Sequence, residues 1–538
     1  MPEKYKEKTK KQKAKIDDIK LKSVRKAYIK LLSYSNLMLN CLLILIQISL
    51  FFIFTKYLEP YSKYFFGGSV ALSLVFLIYL VNCPGKNEFK IAWLFPVIVM
   101  PLWGIVLYFI TNENSGAKYI SSRLKKLKKK THKVLVEETN QGKVKKLYPK
   151  TCDIASYLLN KGGFPSYVDS SVKYFSSGES VFKDILENVK KAERFIFIEF
   201  FIIEPGKAWN ELFEVLKQKV KEGVEVRLLY DYLGSVQFSS KKVVNYLNEI
   251  GIKTQCFRPF IPVYDTSLNS RDHRKIFDID SKICYTGGFN ISDEYFNFEH
   301  PRFNYWKDSA IRISGEACNS FTAMFLQLWF VQKRKVELGE AYIKSFFYKS
   351  KASLEKNGVL IPYGDDSYNK EDLAENVYYY LISRAHTYVH IMTPYLVIDN
   401  TMLNALYFAA KRGVEVSLII PNNYDHFVTY CVGRRYIKLL IKNGVHVYGY
   451  QKGFIHAKSF VSDNKRACVG SVNLDYRSFY HHFECGTYIY SNEEIQKIEE
   501  DFQNTKKDCI EITLDEYKKI PWIQRVIGYI FRVFAPLL

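Results

Sequence analysis

Two stretches of the sequence carry the same motif: HRKIFDIDSKICYTGGFN (residues 273–290) and HAKSFVSDNKRACVGSVN (residues 456–473). Both read H-x-K-x4-D-x6-G-[GS]-x-N, and their histidines lie 183 residues apart. A single copy can arise by chance, whereas two copies with identical internal spacing indicate an internal repeat with one chemical task. The sequence therefore predicts two similar structural units, each presenting one histidine, one lysine and one asparagine.

The residues around the motifs repeat in the same order. In the first half, strand patterns at residues 192–203, 223–231 and 251–257 precede the motif, with a helix-like stretch after the first. The second half has matching strand patterns at residues 385–398, 413–421 and 444–450. Strand, helix and strand in this order predict α/β units with mostly parallel pairing. A pseudo-twofold axis between two such units would bring both motifs together.

The motif side chains suit a substrate that contains phosphate. Alternate residues of a strand face the same side, so His273 projects with Lys275, and His456 projects with Lys458. A lysine ammonium binds phosphate oxygens, and an imidazole can attack phosphorus or transfer a proton. The two halves can therefore surround one phosphate, with one histidine attacking and the other protonating the leaving alcohol.

The remaining polar residues of the motifs have two kinds of expected role. Asn290 and Asn473 follow glycine turns that allow close backbone approach, so their amides can donate hydrogen bonds to the same phosphate. Asp280 and Asp463 complete the motif and are candidates for a catalytic role. An aspartate at that distance also often closes a turn, so a structural role stays open for both.

Two carboxylates beyond the motifs are candidates for orienting the histidines. A nucleophilic histidine needs its second ring nitrogen fixed by an acceptor, usually a carboxylate. Glu484 lies 28 residues after His456, and Asp308 lies 35 residues after His273, both on strand-like runs. We predict that these carboxylates orient the histidines, and the alternative is that they are ordinary surface carboxylates.

Three uncharged runs near the N-terminus predict a membrane segment. Residues 31–55, 64–84 and 91–112 are each long enough to cross a hydrocarbon core of about 30 Å, which needs about 20 residues. The third run contains Pro96 and Pro101, which makes its helix the least regular. Dense lysines before the first run and after the third both favour the cytoplasmic side, which requires an even number of spans. Either one run is therefore re-entrant or interfacial, or the N-terminal tail is an exception to the preference of positive charge for the cytoplasmic side.

Bulk composition bounds the partners and cofactors. The 538 residues carry a formal net charge of +22, which favours nucleic acid or an acidic membrane surface as partner. Next to membrane runs, the lysine clusters favour anionic headgroups, and solvated charge without a partner is the alternative. Ten cysteines include no C-x2-C pair, so we expect no zinc site.

The motifs resemble those of the phospholipase D superfamily, and more closely those of its bacterial cardiolipin synthases. The similarity includes residues 87–108, 221–235, 271–295, 393–399, 454–463 and 470–479. It implies an α/β fold of two phospholipase D-like α/β/α sandwich domains, related by a pseudo-twofold axis and preceded by N-terminal transmembrane helices. One departure is His482, which stands where many relatives have asparagine before the phenylalanine and glutamate.

The combined patterns give the expected domain boundaries. We expect a basic cytosolic tail (1–30), a membrane segment of two to three helices (31–112), a basic juxtamembrane linker (113–165), a first domain (166–345), a linker (346–365) and a second domain (366–538).

The resemblance also implies a function. Cardiolipin synthases of this superfamily transfer a phosphatidyl group from one phosphatidylglycerol to another through a phosphohistidine and release glycerol. By resemblance, His273 is the expected nucleophile and His456 the expected general acid, although the symmetry of the sequence does not separate them. We expect no metal cofactor, because two lysines supply the positive charge. The expected partners are phosphatidylglycerol, cardiolipin and an anionic membrane surface, without nucleic acid, and the catalytic domains are expected to face the cytoplasm.

Two other functions stay open at this point. A hydrolase of the same superfamily, either a phospholipase D or a nuclease, would use the same motifs with water as acceptor. A membrane scaffold that keeps the fold without activity is disfavoured, because both motif histidines are present. The sequence does not identify the second lipid substrate or the oligomeric state.

Overall fold

The structure is a computed structural model that describes most of the chain from residue 45 to residue 537. The gaps are residues 47, 51, 54, 58, 113–114, 138–140, 259–269, 299–302, 334–337, 351–356 and 370. The expected basic tail and most of the first apolar run lie outside the described residues. The chain divides into an N-terminal unit, which ends near residue 115 and also takes in residues 236–240, and a large unit that holds both motifs.

Three helices follow one another in the N-terminal unit: α1 (Glu59–Asn82), α2 (Asn87–Val99) and α3 (Pro101–Asn112). Among the described residues, α1 alone is long and apolar enough to cross a membrane. Its 24 residues extend about 36 Å, which exceeds a hydrocarbon core of about 30 Å. This helix coincides with the second apolar run of the sequence.

The third apolar run does not form one continuous helix. It breaks at Met100, whose φ of -141° and ψ of 80° lie outside the helical range. A proline drives the preceding residue out of the helical region, so Pro101 ends α2 and begins α3. Each piece extends about 20 Å or less. The expectation that residues 91–112 are long enough to cross as one helix is therefore wrong, because the chain breaks at the proline.

Each half of the large unit contains a mixed sheet. The strands of the first half are β1 (Ser170–Phe175), β2 (Phe195–Phe200), β3 (Glu225–Asp231), β4 (Ile252–Phe257), β5 (Lys275–Ile279), β6 (Ile283–Gly287), β7 (Trp306–Lys307) and β8 (Ala310–Gly315). The strands of the second half are β9 (Val359–Asp365), β10 (Tyr388–Met392), β11 (Leu396–Val397), β12 (Glu415–Pro421), β13 (His446–Tyr450), β14 (Phe454–Ile455), β15 (Ser459–Ser462), β16 (Arg466–Gly470), β17 (Leu474–Asp475), β18 (Glu484–Tyr490) and β19 (Cys509–Glu511).

The two sheets repeat the same strand order. The first runs β1-β8-β6-β5-β2-β3-β4, and the second runs β9-β18-β16-β15-β10-β12-β13, with β19 added at its edge. The helices of the large unit are α4 (Ser115–Glu137), α5 (Gln141–Leu147), α6 (Cys152–Tyr157), α7 (Gly178–Val189), α8 (Lys207–Lys221), α9 (Lys241–Glu249), α10 (Cys318–Val331), α11 (Glu340–Phe346), α12 (Leu373–Ser383), α13 (Asn400–Lys411), α14 (Phe427–Lys442), α15 (Tyr476–Tyr480), α16 (Glu494–Lys506), α17 (Leu514–Lys518) and α18 (Trp522–Phe531).

The expectation of mostly parallel pairing is wrong. Within the two large sheets, only the strand, helix and strand segments pair in parallel, as β2 with β3 and β3 with β4 in the first sheet. The motif strands β5 and β6 are joined by a tight turn of three residues, which forces antiparallel pairing. Strands β8 and β1 extend the first sheet in the same antiparallel manner, and the second sheet repeats the pattern.

Two stretches expected to be linkers contain parts of the folded unit. Within residues 113–165, Leu124, Leu127 and Val134 of α4 are buried in a core cluster of the large unit. Their spacing places them on one helix face, and Lys128 of the same helix contacts the buried Asp366 of the second half. Strand β9 falls within residues 346–365 and pairs with β18, so the second sheet begins before the expected boundary.

The two halves cross where their sheets meet. Strands β6 and β8 contact β16, and β6 also contacts β18. Three backbone pairings join the halves in the described part of the chain: β14 pairs in parallel with β7, Asp272 forms a bridge with Phe483, and Tyr167 forms a bridge with Leu360. This crossing brings the start of each motif beside a strand of the opposite half.

Candidate active site

Both motif histidines are held by backbone of the opposite half. The His273 N–H donates to the Phe483 carbonyl at 2.9 Å, and the His456 N–H donates to the Lys307 carbonyl at 2.7 Å. His273 stands just before β5 and His456 just before β15, so the two rings occupy equivalent places in the repeat. Both side chains are buried.

The predicted carboxylates contact the histidines, and they do so across the two halves. The His273 Nδ1 lies 2.8 Å from Oε1 of Glu484, which begins β18 in the second half. The His456 Nδ1 lies 2.9 Å from Oδ2 of Asp308, which follows β7 in the first half. Each carboxylate therefore contacts the histidine of the other motif and not the one it follows in the sequence. Both carboxylates are fully buried, which excludes the alternative of ordinary surface residues.

The two motif lysines lie beside their histidines. The Lys275 Nζ donates to the His273 carbonyl at 2.6 Å. The Lys458 Nζ donates to the His456 carbonyl at 2.5 Å and lies 2.8 Å and 3.0 Å from the two ring nitrogens. Burial lowers the pKa of Lys275 to about 8 and that of Lys458 to about 7. Both ammonium groups are thus poorly solvated cations that a phosphate would stabilise.

The electrostatics favour neutral imidazoles beside ionised carboxylates. Burial lowers the pKa of His273, and burial together with the lysine charges lowers that of His456. Burial alone would raise the pKa of Glu484, but the hydrogen bonds from His273 and His482 and the charge of Lys275 hold that pKa below its usual value. A neutral ring with its Nδ1 proton toward a carboxylate keeps a lone pair on Nε2, the form that a nucleophile or a general base requires.

The two motif asparagines are buried near the ends of β6 and β16. The Asn290 Oδ1 accepts from the Ile202 N–H at 3.1 Å, which fixes that amide. Within the described part of the chain, the Asn473 Oδ1 is buried and has no hydrogen-bond partner. The NH2 group of an asparagine amide can donate a hydrogen bond to a ligand oxygen.

A cavity of about 270 Å³ opens beside His273. Its lining is formed largely by the second half and includes Asn473, Tyr395, His426 and Arg477. The cavity combines aromatic and aliphatic surface with a few polar groups, as is usual for a site that binds a small organic headgroup.

Most lining residues were not predicted from the sequence as site residues, and Tyr395, His426 and Arg477 are among them. Tyr395 and Arg477 fall within stretches that carry the family resemblance, and Arg477 follows Asn473 by only four residues, so both could have been found there. His426 lies just before α14, in a loop that carries no motif. Arg477 brings a further cation to the cavity wall.

Asp280 and Asp463 lie away from the histidines, at the far ends of β5 and β15. Each aspartate is the seventh residue after its histidine, which along extended chain is a distance of about 20 Å. The Asp280 carboxylate accepts from three consecutive backbone N–H groups, those of residues 193–195, at 2.7–2.8 Å. The Asp463 carboxylate repeats this with residues 386–388 at 2.8–3.0 Å. The geometry supports the turn-closing alternative for both residues.

One group of side chains in the site could hold a metal ion by distance alone. The ligand atoms of His273, His482 and Glu484 all lie within 4.8 Å of one another. The Glu484 carboxylate already contacts His273, and the adjacent Lys275 ammonium repels a cation. The chemistry of the donors therefore fits an imidazole and carboxylate pair better than a metal centre.

The fold and the paired histidine sites define a phospholipase D-like enzyme. A family model described as "Cardiolipin synthase, PLD-like domain" matches residues 185–329 and 378–506, and the chain belongs to that family. It is accordingly a phosphatidyltransferase of the phospholipase D superfamily.

Individual relatives and one solved structure are similar to this chain over most of its length. An uncharacterized protein of Streptococcus mutans is 40% identical over 86% of this chain and 99% of its own length. "Cardiolipin synthase 2" of Bacillus anthracis is 30% identical over 86% of this chain and 89% of its own. The crystal structure of phosphatidylserine synthase from Haemophilus influenzae has a similar fold, with a TM-score of 0.55 and 14% identity over 72% of this chain and all of that chain.

Proposed function

We propose that the protein is a cardiolipin synthase that transfers a phosphatidyl group from one phosphatidylglycerol to another, with release of glycerol, through a phosphohistidine. The observation that carries the proposal is the crossed site, in which each half supplies the carboxylate that contacts the other half's histidine. A site of this kind offers one phosphate two imidazoles with separate roles, and the family relatives named as cardiolipin synthases supply the substrate class.

In the first step, the His273 Nε2 attacks phosphorus of the donor lipid. The bond from phosphorus to the headgroup oxygen breaks, and His456 gives its proton to that oxygen, so glycerol leaves as a neutral alcohol. The bound phosphate is negatively charged and offsets the burial that lowers the pKa of His456, which lets that ring hold the proton before transfer.

In the second step, the terminal hydroxyl of a second phosphatidylglycerol attacks the phosphohistidine. His456, now neutral, accepts the hydroxyl proton, and the bond from phosphorus to the His273 nitrogen breaks. Cardiolipin forms and both imidazoles return to their starting states. Lys275, Lys458 and the two motif asparagines stabilise the charge that develops on the phosphate oxygens.

We assign the nucleophile to His273 because its surroundings are better suited to that role. His273 lines the cavity, and its partner carboxylate has a lowered pKa, which keeps the Nδ1 proton in place and the Nε2 lone pair free. Burial raises the pKa of Asp308 to about 6, so His456 has a partner that titrates closer to neutrality. We assign Asp280 and Asp463 a structural role.

We propose a cytoplasmic catalytic part behind two membrane spans. Helix α1 supplies one span, and the first apolar run would supply the other. The broken run of α2 and α3 would enter the bilayer without crossing it, since neither helix is long enough. Two spans put the lysine-rich flanks on the same side, as the distribution of positive charge requires.

The proposal is tested with full-length protein in vesicles of phosphatidylglycerol labelled either in the headgroup glycerol or in an acyl chain. We expect one cardiolipin and one free glycerol for each pair of phosphatidylglycerol molecules consumed. Phosphatidic acid in place of cardiolipin would contradict the synthase and indicate a hydrolase. Vesicles that also contain phosphatidylethanolamine identify the acceptor, because a mixed product reports the second lipid directly.

A matched pair of variants separates the site from general effects. His273→Ala should form no product with either label. His446 is a half-exposed histidine on β13, paired with Glu511, so His446→Ala should keep the activity of the parent protein. Product formation by His273→Ala would contradict the phosphohistidine mechanism.

A further inference from the structure

The C-terminal helix α18 presents an apolar stripe to solvent. Trp522, Ile523, Val526, Tyr529 and Ile530 are between 43% and 66% exposed. Their spacing of three, four and seven residues puts them on one helix face, the face that a helix of a soluble protein normally buries. Contiguous exposed apolar surface of this kind marks a site of interaction.

The opposite face of α18 fixes the helix to the protein. Gly528 is buried against α14, where a Cβ atom would lie 2.3 Å from the Cys431 carbonyl. Only glycine permits so close an approach, so the helix packs firmly on α14 with its apolar stripe outward. The exposure of the stripe is therefore part of the folded structure and not the result of a frayed end.

A cluster of cations lies beside the stripe. Burial and the neighbouring charges of Arg435, Lys442 and Arg525 lower the pKa of Lys438, so these three cations lie within electrostatic reach of Lys438. None of the four forms an ion pair within the described part of the chain. The Arg435 guanidinium lies 4.8 Å from the centre of the Tyr529 ring, so the cluster adjoins the stripe directly. Unpaired cations next to exposed aromatic and aliphatic side chains match an anionic lipid surface, with phosphate above and acyl chains below.

The same segment reaches the cavity. After α18, a short 3-10 turn leads to Ala535, which lines the cavity beside His273. The Pro536 carbonyl lies 3.1 Å from the His481 Nε2, one residue before His482 in the cavity wall. The N-terminal end of α14 contributes Thr429 to the same wall. The turn after α18 and the N-terminal end of α14 thus connect the stripe and the cation cluster to the cavity.

We propose that α18 is an interfacial helix that lies in the surface of an anionic bilayer and turns the cavity mouth toward the membrane. The proposal adds a second membrane contact, made by the large unit itself, to the anchor at the N-terminus. This inference rests on the proposed function in one respect, namely that the substrate is a lipid of the bilayer. A lipid headgroup could then pass from the bilayer into the cavity along apolar surface without crossing water.

Trp522 gives a direct readout that does not depend on activity. Full-length protein is placed in vesicles of phosphatidylcholine with phosphatidylglycerol, and the spectrum of Trp522→Phe is subtracted from that of the parent protein. We expect the Trp522 difference signal to be quenched by lipids brominated near the top of the acyl chain. Trp209 is buried in the first half, so the difference signal from Trp209→Phe should not be quenched and serves as the control.

The anionic preference is tested in the same vesicles. Lys438→Glu with Lys442→Glu should weaken the quenching of Trp522, and vesicles of phosphatidylcholine alone should weaken it in the parent protein. An unquenched, water-exposed Trp522 signal in the anionic vesicles would overturn the proposal. Equal quenching in both vesicle types would overturn the role of the cation cluster.

Activity gives a second test that distinguishes docking from damage to the site. Ile523→Asp with Ile530→Asp should lower turnover of bilayer phosphatidylglycerol by about tenfold or more, because two apolar side chains no longer enter the membrane. Turnover of a short-chain phosphatidylglycerol below its micelle concentration should change less than about twofold, since that substrate needs no docking. Phe408→Asp on α13 is the matched control, because Phe408 is equally exposed and lies outside the stripe. Equal losses on both substrates would contradict docking, and a product other than cardiolipin would refute the proposed function while leaving the fluorescence test intact.

Discussion

The second half of the molecule holds its carboxylate with more donors than the first half does. The Glu484 carboxylate accepts from the hydroxyls of Ser471 and Ser478 in addition to its histidine. The Asp308 carboxylate contacts its histidine and the backbone N–H of Ser309. The two carboxylates also differ in pKa: burial acts to raise both, but contacts with His273 and His482 and the charge of Lys275 hold the pKa of Glu484 below its usual value, whereas the pKa of Asp308 is raised to about 6.

One position of the repeated motif explains part of the difference in hydrogen-bond donors. Ser471 stands in the second copy where Gly288 stands in the first. A Cβ atom at Gly288 would lie 2.0 Å from Oδ1 of Asp308 and 2.7 Å from the His456 carbonyl, so a serine has no room there. The repeat therefore gives one histidine a firmly ionised partner and the other a partner that titrates near neutrality. We infer that the near-symmetric fold supports unequal tasks, with His273 as nucleophile and His456 as proton carrier.

The largest expected effect separates the two histidines. His273→Ala should lower turnover by about 10⁶-fold, as loss of a nucleophile does. His456→Ala should lower it by about 10²–10⁴-fold, because a general acid assists only the departure of the leaving group. A phosphatidyl ester of p-nitrophenol needs no proton to leave, so His456→Ala should still show a burst of p-nitrophenol in stopped-flow absorbance, and His273→Ala should show none.

The control for this comparison is the His446→Ala variant, which should behave as the parent protein does. A burst from His273→Ala, with none from His456→Ala, would reverse the assignment. Equal loss of the burst in both variants would contradict the assignment of different roles to the two histidines.

The second prediction tests the crossed contacts. Glu484→Gln should share the behaviour of His273→Ala, with a loss of about 10³–10⁴-fold and no rescue by the p-nitrophenyl ester, because the wrong tautomer of the nucleophile results. Asp308→Asn should share the behaviour of His456→Ala, with rescue by that ester. Contacts within each half would give the opposite result, with rescue for Glu484→Gln.

Binding measurements check that each variant keeps the site intact. Both substitutions preserve side-chain size, so the KM for short-chain phosphatidylglycerol should change little while kcat falls. A raised KM with unchanged kcat would show that the carboxylates act on substrate binding and not on the histidines.

The third prediction compares the two lysines through pH. The pKa of Lys458 is about 7 and that of Lys275 about 8, so both are charged at lower pH and lose their protons as the pH rises. Since kcat/KM reports the free enzyme, it should fall by about tenfold per pH unit above pH 7, and more steeply above pH 8. The fall in kcat should lie at higher pH, because bound phosphate raises both lysine pKa values.

Arginine variants check the cause of that fall. Lys458→Arg stays charged, so a folded variant with activity should lose the first part of the alkaline fall and keep the second. A parent profile of kcat/KM that stays flat to pH 9 would contradict the titration of either lysine.

Much of this comparison could be read from the sequence. The fixed spacing of the two motifs predicts the repeat, because a strand pair and its turn require the same number of residues each time. A second argument selects the two carboxylates: a buried histidine that acts on phosphate needs a hydrogen-bond acceptor for its second ring nitrogen. Local spacing does not reveal which histidine each carboxylate contacts. His273 and Glu484 are 211 residues apart, and His456 and Asp308 are 148 apart, so both contacts depend on how the halves cross.

The wrong predictions have local causes. The sequence patterns of β2 and β3 resemble those of a parallel sheet, and the tight turn that makes β5 and β6 antiparallel is visible only as a short polar stretch. In the third apolar run, hydrophobicity alone suggests one span, whereas Pro101 breaks the helix. The cavity wall around His426 carries no motif, because its residues come together only through the fold.

The smallest expected effect concerns the aspartates that end the motifs. Asp280 is buried and accepts from three backbone N–H groups, so Asp280→Ala should destabilise the protein by about 2–3 kcal/mol through unsatisfied donors. Asp463 makes the same contacts at a partly exposed site, where water can replace the carboxylate. Asp463→Ala should therefore lower the free energy of unfolding by about 1 kcal/mol. The thermal midpoint of full-length protein in detergent should fall more for Asp280→Ala.

The asparagine variants make this test specific, because both positions have positive φ, 57° at Asp280 and 55° at Asp463, which asparagine tolerates better than alanine. Asp280→Asn should lower the midpoint less than Asp280→Ala does. At a temperature where all variants are folded, the kcat of each variant should lie within about twofold of the parent value. The reason is that each carboxylate lies about 20 Å along the chain from its motif histidine. A folded Asp280→Asn without activity would restore the catalytic role that the motif first suggests, and it would do so in the half that holds His273.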